Sequence, residues 1–409
     1  MNIQIQKSKI QEQSSIIITG SKSEANRLLI LQALYPDIKI ENLSNSDDSQ
    51  LMQNALASND EIVDIHHAGT AMRFLTAYFS IKEGRETILT GSGRMKERPI
   101  AILVDALNAL GADISYIENQ GFPPIKIKGK KLTKHKVTLS ANVSSQYISA
   151  LLLIASKLEN GLELTLDGKI TSVPYIKMTL SLLDDINVEH TFIDNIITVK
   201  PNIQNSITNT LTVESDWSSA SYFYSIVALS DLGTKIELSS YKENSLQGDS
   251  VLADIYKQFG VTTTFQNNSI LLEKSSIVNA ESKIDLDLSN APDIAQTISV
   301  TAFGLGISCH LIGLHTLKIK ETDRLIALQN ELAKLGANIS VTDESLLLEE
   351  TLGSINQDVE IETYNDHRMA MAFAPLALKT SILIKEADVV SKSYPDFWKD
   401  LEHIGFQIK

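Results

Sequence analysis

The sequence predicts an α/β protein of two lobes, each assembled from three helix-and-strand units. Three observations carry this reading. At 409 residues and 43% hydrophobic the chain has material for more than one core, and its length corresponds to about two or three domains. A pattern of amphipathic helix, glycine-type turn and short β-prone strand recurs along it, as expected where a 3.6-residue period gives way to a period of two. Between these copies runs a second helix set, each member entered from a short polar loop.

In order, the first series comprises Ile100 to Ser115, Tyr175 to Thr191, Asp249 to Thr264, Asp323 to Val341 and Asp396 to Ile408, with a weaker copy from Asp48 to Ile62. The turns fall at Gly111, Asn187, Gly260, Gly336 and Gly405. Their spacing of about 70 residues is too long for a solenoid repeat of roughly 20 to 50, and fits a compact unit used about six times. The second series comprises Ser23 to Ala33, Gly69 to Phe79, Ser144 to Ala155, Ser218 to Ala228, Asp293 to Ala302 and Asp366 to Leu378. Most of the chemically suggestive residues lie at helix entries, where free backbone N–H groups and the helix dipole favour anions.

Composition excludes several function classes. A net charge of -14 with no basic stripe leaves no footprint for nucleic acid. Met1 to Ser15 is polar, and the longest apolar run, Met369 to Leu378, is interrupted by Pro375. That run is shorter than the roughly 20 residues a membrane span needs, so a soluble, cytoplasmic protein without a membrane partner is expected. The single cysteine, Cys309, has no partner for an internal disulfide and is expected to pack as a small hydrophobe.

Arginine usage points to anionic ligands. Of 36 basic residues only seven are arginine, and Arg27, Arg73, Arg94, Arg98, Arg324 and Arg368 lie in or beside short polar loops. A guanidinium offers a rigid fork of donors that meets carboxylate or phosphate oxygens in pairs, which an ammonium does not.

The strand Ser15 to Thr19 runs into Gly20-Ser21-Lys22-Ser23 and a helix that carries Arg27 one turn further on. This brings backbone N–H groups, a hydroxyl, an ammonium and a guanidinium to one helix start, although Ser23 also suits an N-cap. His67 to Arg73 forms a small-residue loop in which Gly69 permits close approach of a ligand to the backbone. Gly91 to Pro99 packs Arg94, Lys96 and Arg98 into one loop. Ser144-Ser145-Gln146 and Ser172-Val173-Pro174-Tyr175 open two further helices and suit either caps or ligand contacts. In the second half, Pro292-Asp293 and Lys320-Glu321-Thr322-Asp323-Arg324 set two carboxylates, Asp293 and Glu321, among cations. Differing environments would separate such a pair into acid and base, while Asp323 reads as a cap or an arginine partner. Tyr364 to Arg368 and Lys392 to Asp396 add a guanidinium and an ammonium. No spaced third ligand accompanies His66-His67, Asp47-Asp48 or Asp366-His367 and no nucleotide-binding glycine motif is found, so no metal and no cofactor are expected.

In combination these residues resemble the 5-enolpyruvylshikimate-3-phosphate (EPSP) synthase family of enolpyruvyl transferases. The resemblance runs from Gly20 to Asp396. It is strongest at Gly20-Ser21-Lys22-Ser23 with Asn26-Arg27, Ala68 to Arg73, Arg94 to Ile100, Lys320 to Arg324, and Asn365 to Ala370. It implies an inverse α/β barrel of two lobes, each of three βαβαββ units, closing around substrate. One lobe would span residues 19–213 and the other residues 1–18 with 214–409.

The activity it implies is transfer of the enolpyruvyl group of phosphoenolpyruvate to the 5-hydroxyl of shikimate 3-phosphate, releasing phosphate, in a monomer. By matching position, Ser23, Arg27, Ser144, Ser145, Ser172 and Tyr175 would hold shikimate 3-phosphate, with Lys320 assisting. Lys22, Gly69, Arg98, Gln146, Arg324, Arg368 and Lys392 would hold phosphoenolpyruvate or act where the two ligands meet. Asp293 would be the base, Glu321 the proton donor, and Lys22 able to share either transfer. The chain departs from the family pattern at His67, where Asn is usual, at Phe74, where Pro is usual, and at the substrate-binding position Thr316, where Asn is frequent. Two rival readings are the related transferase acting on UDP-N-acetylglucosamine and a non-catalytic anion-binding protein of the same fold. The first usually carries a cysteine in its mobile cationic loop, and Arg94 to Arg98 contains none. The second would be expected to have lost Lys22, Asp293 or Glu321.

Overall fold

The computed structural model describes residues 1–141, 144–168, 170, 173–202, 210–279, 281–351 and 353–409. They form two compact units, Gly20–Val213 and Met1–Thr19 with Glu214–Lys409. Each has its own apolar core.

In the inserted unit, Ile62–Asp64 and Glu86–Thr90 pair in parallel, Glu86–Thr90 pairs antiparallel with Ile125–Lys128, and Asp113–Tyr116 closes the far side. Helices Gly69–Ser80 and Ala101–Leu110 connect the strands, giving one βαβαββ unit. The same order of pairings recurs for Lys136–Ser140, Leu162–Asp167, Ile196–Val199 and His190–Ile193. A third, two-stranded sheet joins Lys39–Glu41 to Thr210–Thr212.

The other unit repeats the scheme in Lys283–Asp287, Ser308–Ile312, Ser345–Leu348 and Ile339–Val341. Its next copy is split. Gln13–Ile16 pairs in parallel with Lys235–Ser239, and that strand continues to Ser269–Lys274 and Val261–Gln266. Ile3–Ile5, Ile382–Ile384 and Val359–Ile361 form the last sheet.

The two helix series occupy different places for a physical reason. Ala71 to Ser80, Tyr147 to Ala155, Ser219 to Leu229 and Ala295 to Phe303 are buried without interruption, as central helices of mostly apolar and small hydroxyl side chains are. The amphipathic helices Arg324–Lys334 and Phe397–Ile404 bury one stripe only. The five turn residues Gly111, Asn187, Gly260, Gly336 and Gly405 all have positive φ, between 55° and 118°, the left-handed cap that ends a helix at little steric cost in glycine or asparagine.

One helix differs from expectation. Residues Gly248–Val251, Leu252–Ile255 and Tyr256–Phe259 form three successive single turns, two of them 3₁₀. In a 3₁₀ turn side chains three apart eclipse, and the Tyr256 and Phe259 rings meet at 4.9 Å. Similarly, the helix begun at His367 tightens to 3₁₀ at Ala374–Leu378, where Pro375 lacks a donor. Cys309 is buried at 1% exposure and burial pushes its thiol up to about 12.

Candidate functional site

In the inserted unit, cations gather at helix starts. Lys22 opens the helix Lys22–Leu34, and its Nζ lies 3.5 Å from Asp48 Oδ2. The second Asp48 oxygen is 3.5 Å from His67 Nε2. Ser23 follows Lys22, and its backbone carbonyl accepts from Arg27 Nη1 at 2.8 Å. The remaining Arg27 donors reach Thr179 Oγ1 at 2.8 Å and Ser149 Oγ at 2.9 Å. The guanidinium lies 5.3 Å from the Phe74 ring centroid and 5.8 Å from that of Tyr175. Arg27 is therefore buried with its donors on neutral oxygens, and Glu24, about one turn back on the same helix, is the carboxylate whose charge acts on it. Among the described residues no carboxylate lies within ion-pair distance of it, and burial lowers its pKa to about 10.

Gly69 is the first residue of its helix, and Arg98 lies directly over it: a Cβ at position 69 would stand 2.5 Å from Arg98 Nη1. Below them Arg73 donates to the Gly69 carbonyl and stacks at 5.8 Å on Tyr147. Burial and the Arg98 charge lower Arg73 to about 10. Ser144 caps the helix Ser145–Ala155, Ser145 is buried, and Gln146 donates to Thr70 Oγ1 at 3.1 Å. Ser172 lies outside the described residues.

The other unit holds a denser, oppositely balanced cluster. Asp323 caps the helix Arg324–Lys334 through its Oδ1. This sets Arg324 at the helix start with its donors spread over three carboxylates: Nε to Asp366 at 2.6 Å, Nη1 to Asp293 at 2.8 Å and Nη2 to Glu321 at 2.8 Å. Asp293 also meets Lys320 Nζ at 3.5 Å and Arg368 Nη2 at 3.4 Å. Burial alone would raise the Asp293 carboxyl, but Lys320, Arg368 and Arg324 outweigh it and hold Asp293 well below the usual carboxylate range. The same logic, run in reverse, raises Arg324 despite its burial. Asp366 caps the helix His367–Phe373 by accepting from Arg368 N, which aims the Arg368 side chain at Asp293. Lys392 stands apart from the cluster, donating to the carbonyl and the side-chain oxygen of Asn365 at 2.7 Å each. Thr316 lies in the turn His315–Ile319, its Oγ1 buried with no hydrogen-bond partner among the described residues.

Chemically the two sets are complementary. The inserted unit presents Arg27 and Arg73, buried with their donors on neutral oxygens, and Lys22 beside Asp48, a set suited to anionic oxygens. The other presents a carboxylate pair, Asp293 and Glu321, bridged by one guanidinium, suited to moving protons. Among the described residues no group of three or more His, Cys, Asp or Glu is arranged to hold a metal ion.

Sequence reasoning missed Asp48 beside Lys22, Asp366 beside Arg324, and the neutral groups that fix the arginines: Ser149, Thr179 and Tyr147. Asp366 carries a readable signal, since it is a short acceptor one residue ahead of a helix. The hydroxyls carry none, because they sit inside buried helices with no local pattern.

Comparison with known proteins gives a consistent answer. A family model described as EPSP synthase (3-phosphoshikimate 1-carboxyvinyltransferase) matches residues 54–401. A 3-phosphoshikimate 1-carboxyvinyltransferase of Bacteroides fragilis (strain YCH46) is 47% identical over 403 residues, covering 98% of this chain and 97% of that protein. The enzyme of the same name from Histophilus somni (strain 2336) is 36% identical over 422 residues, covering 95% and 96%. Among solved structures, EPSP synthase from Acinetobacter baumannii superposes with a TM-score of 0.81 at 20% identity, covering 100% of this chain and 99% of that one. The enolpyruvyl transferase NikO from Streptomyces tendae gives 0.73 at 12%, covering 100% and 98%.

Proposed function

The chain belongs to the EPSP synthase family, and from that premise we propose which of its side chains carry the family's reaction. It is a 3-phosphoshikimate 1-carboxyvinyltransferase of the shikimate pathway, transferring the enolpyruvyl group of phosphoenolpyruvate to the 5-hydroxyl of shikimate 3-phosphate with release of phosphate. The reading of a UDP-N-acetylglucosamine transferase is not favoured.

The observation that carries the residue assignment is the joint hold of Arg324 on Asp293 and Glu321, both at 2.8 Å. Addition needs a proton delivered to the methylene carbon of phosphoenolpyruvate, which makes the neighbouring carbon electrophilic. It also needs a proton removed from the attacking hydroxyl. Asp293, kept ionised by its three cations, acts as acceptor. Glu321, released from Arg324 by the incoming phosphoenolpyruvate and having taken a proton from solvent, acts as donor. Attack gives a tetrahedral ketal phosphate, and elimination expels phosphate while a methyl proton leaves to restore the double bond. Lys22 shares in these transfers.

Ser23, Arg27, Ser144, Ser145, Ser172 and Tyr175, with Lys320, take shikimate 3-phosphate. Lys22, Gly69, Arg98, Gln146, Arg324, Arg368 and Lys392 take phosphoenolpyruvate, and Thr316 contributes as a substrate contact. Support for the first group is the buried Arg27 guanidinium, whose donors reach only hydroxyl and backbone carbonyl oxygens, while Glu24 acts on it through its charge without a direct ion pair among the described residues. A buried charge of this kind is costly until an anion compensates it. Arg324 differs, because its donors already hold carboxylates, so an incoming phosphoenolpyruvate must displace Glu321 or Asp293 from it. We further place the protein in the cytoplasm as a monomer without nucleic-acid or membrane partners, in keeping with its charge of -14.

Phosphate release on mixing the protein with both substrates, and none with either alone, is the expected result. Release from phosphoenolpyruvate alone, or none with the pair, refutes the reaction.

A further inference from the structure

Beside Arg368 stands a carboxyl that no assignment above uses. Asp249 lies in the short turn Gly248–Val251 and is 3% exposed. Ser218 Oγ donates to Asp249 Oδ2. Arg368 Nη2 in turn donates to Ser218 Oγ at 3.2 Å. The same guanidinium donates from Nη1 to the Asp293 backbone carbonyl at 3.2 Å and lies 3.4 Å from Asp293 Oδ2.

The direction of these bonds decides what Asp249 does. A serine hydroxyl owns one proton and two lone pairs. With its proton given to Asp249, the lone pairs face outward to accept from Arg368. Without that acceptor the hydroxyl is free to rotate, and any rotamer that turns its proton toward the guanidinium opposes the contact. The other Asp249 oxygen, Oδ1, is buried with no hydrogen-bond partner among the described residues. Its carboxyl is thus committed to Ser218, although burying it so incompletely satisfied is unfavourable. A position kept at that cost is explained if it serves the neighbouring cation.

Resting on the assignment of Arg368 to phosphoenolpyruvate, we propose that Asp249 is a positioning residue that acts through the Ser218 hydroxyl to fix the Arg368 guanidinium for that substrate. Three further groups face this chain of contacts. Asp293 lies across from Asp249, Asp216 stands at the head of the helix Trp217–Leu229, and Tyr222 lies against Arg368. Asp216 is already committed as a cap to Ser219 N at 2.7 Å, so it does not replace Asp249 as the serine's acceptor.

The test is a double-mutant cycle read in steady-state kinetics. Asp249→Ala and Ser218→Ala should each raise KM for phosphoenolpyruvate about tenfold, the weight of one hydrogen bond to a charged group. KM for shikimate 3-phosphate should stay within about twofold and kcat within about threefold, a range below the loss of one such bond. The double variant should be no worse than about tenfold, because both changes break one chain of contacts. Asp249→Asn, which keeps an acceptor oxygen, should recover most of the affinity, whereas Asp249→Val, similar in size without one, should not. Additive losses near a hundredfold, an unchanged KM for phosphoenolpyruvate in Ser218→Ala, or equal values for Asn and Val would each overturn the proposal. Ser218 is partly exposed, so its variant keeps the test decisive even where Asp249→Ala does not fold. Wild-type turnover is read first. Its absence would refute the reaction itself, and only the ratios between variants bear on Asp249.

Discussion

Arg324 Nε donates to Asp366 Oδ2 at 2.6 Å, with both side chains at or below 2% exposure. The pair is shut away from water, so its members are safe only together. Removing one partner of a buried pair leaves an uncompensated charge, which costs about 3–5 kcal/mol. Arg324→Leu is expected to lose stability of that order in urea unfolding. Arg324→Lys should restore little of it, since an ammonium does not span Asp366, Asp293 and Glu321 at once. A loss below about 1 kcal/mol, the value of an exposed pair, would contradict the burial argument.

Glu321→Gln keeps the shape of the side chain and removes its acidic proton. Turnover should fall by about 10² to 10⁴, the usual weight of an acid–base group. Near-normal turnover would rule out Glu321 as proton donor.

Gly69→Ala would set a methyl group 2.5 Å from Arg98 Nη1. The opposing atom is the tip of a flexible side chain, so Arg98 should move while the fold holds. We expect KM for phosphoenolpyruvate to rise about tenfold or more, the weight of one charge-assisted bond, with little change in Tm. A drop in Tm with unchanged KM would mean the backbone yields instead.

Phe74, buried at 1% exposure, lies against the Arg27 guanidinium. Phe74→Leu removes the ring from that cation and should weaken binding of shikimate 3-phosphate about two- to fivefold, as loss of a cation–π contact of roughly 0.5–1 kcal/mol implies. Phe74 also sits behind Gly69 on the same helix. Inhibition by glyphosate, a phosphoenolpyruvate-site inhibitor in this family, is therefore expected to differ between wild type and Phe74→Pro. Identical inhibition in the two proteins would remove this idea.

Asp249 gives a pH signature of its own. Burial first, and then Asp293, push its carboxyl up to about 6. A carboxyl raised in the folded state binds its proton more tightly there than in the unfolded chain. Its contribution is thus full below about pH 4, near the ordinary aspartate value, and is lost as pH rises through about 6. Relative to Asp249→Asn, the wild type should lose stability across this window, by on the order of 3 kcal/mol, and change no further above it. Parallel stability curves for the two proteins between pH 4 and 7 would show that Asp249 is not raised.

Local signals were the readable ones. Gly111, Gly260, Gly336 and Gly405 mark left-handed helix ends, and Ser144 and Asp323 cap as their residue types suggest. What escapes the sequence is set at a distance. Gln13–Ile16 finds Lys235–Ser239 across more than two hundred intervening residues, and no local pattern encodes that partner. The same division runs through the site. Arginines placed beside polar loops are conspicuous, but whether a guanidinium meets a ligand or carboxylates of its own chain depends on tertiary packing. Arg27 is found among hydroxyls and Arg324 among carboxylates, although both sit beside polar loops and suggest an anionic ligand equally.

The split copy of the βαβαββ unit has a consequence for synthesis on the ribosome. Gln13–Ile16 emerges early, and its partner Lys235–Ser239 follows only after the whole of Gly20–Val213 has been made. At about 5–20 residues per second this leaves the strand waiting for roughly ten seconds or more. The inserted unit meanwhile contains every partner its own sheets require. An orphaned edge invites pairing with other nascent chains. Here it is four residues long, and Gln13, Ser14 and Ser15 leave Ile16 as its single apolar side chain, which makes it a poor template while it waits.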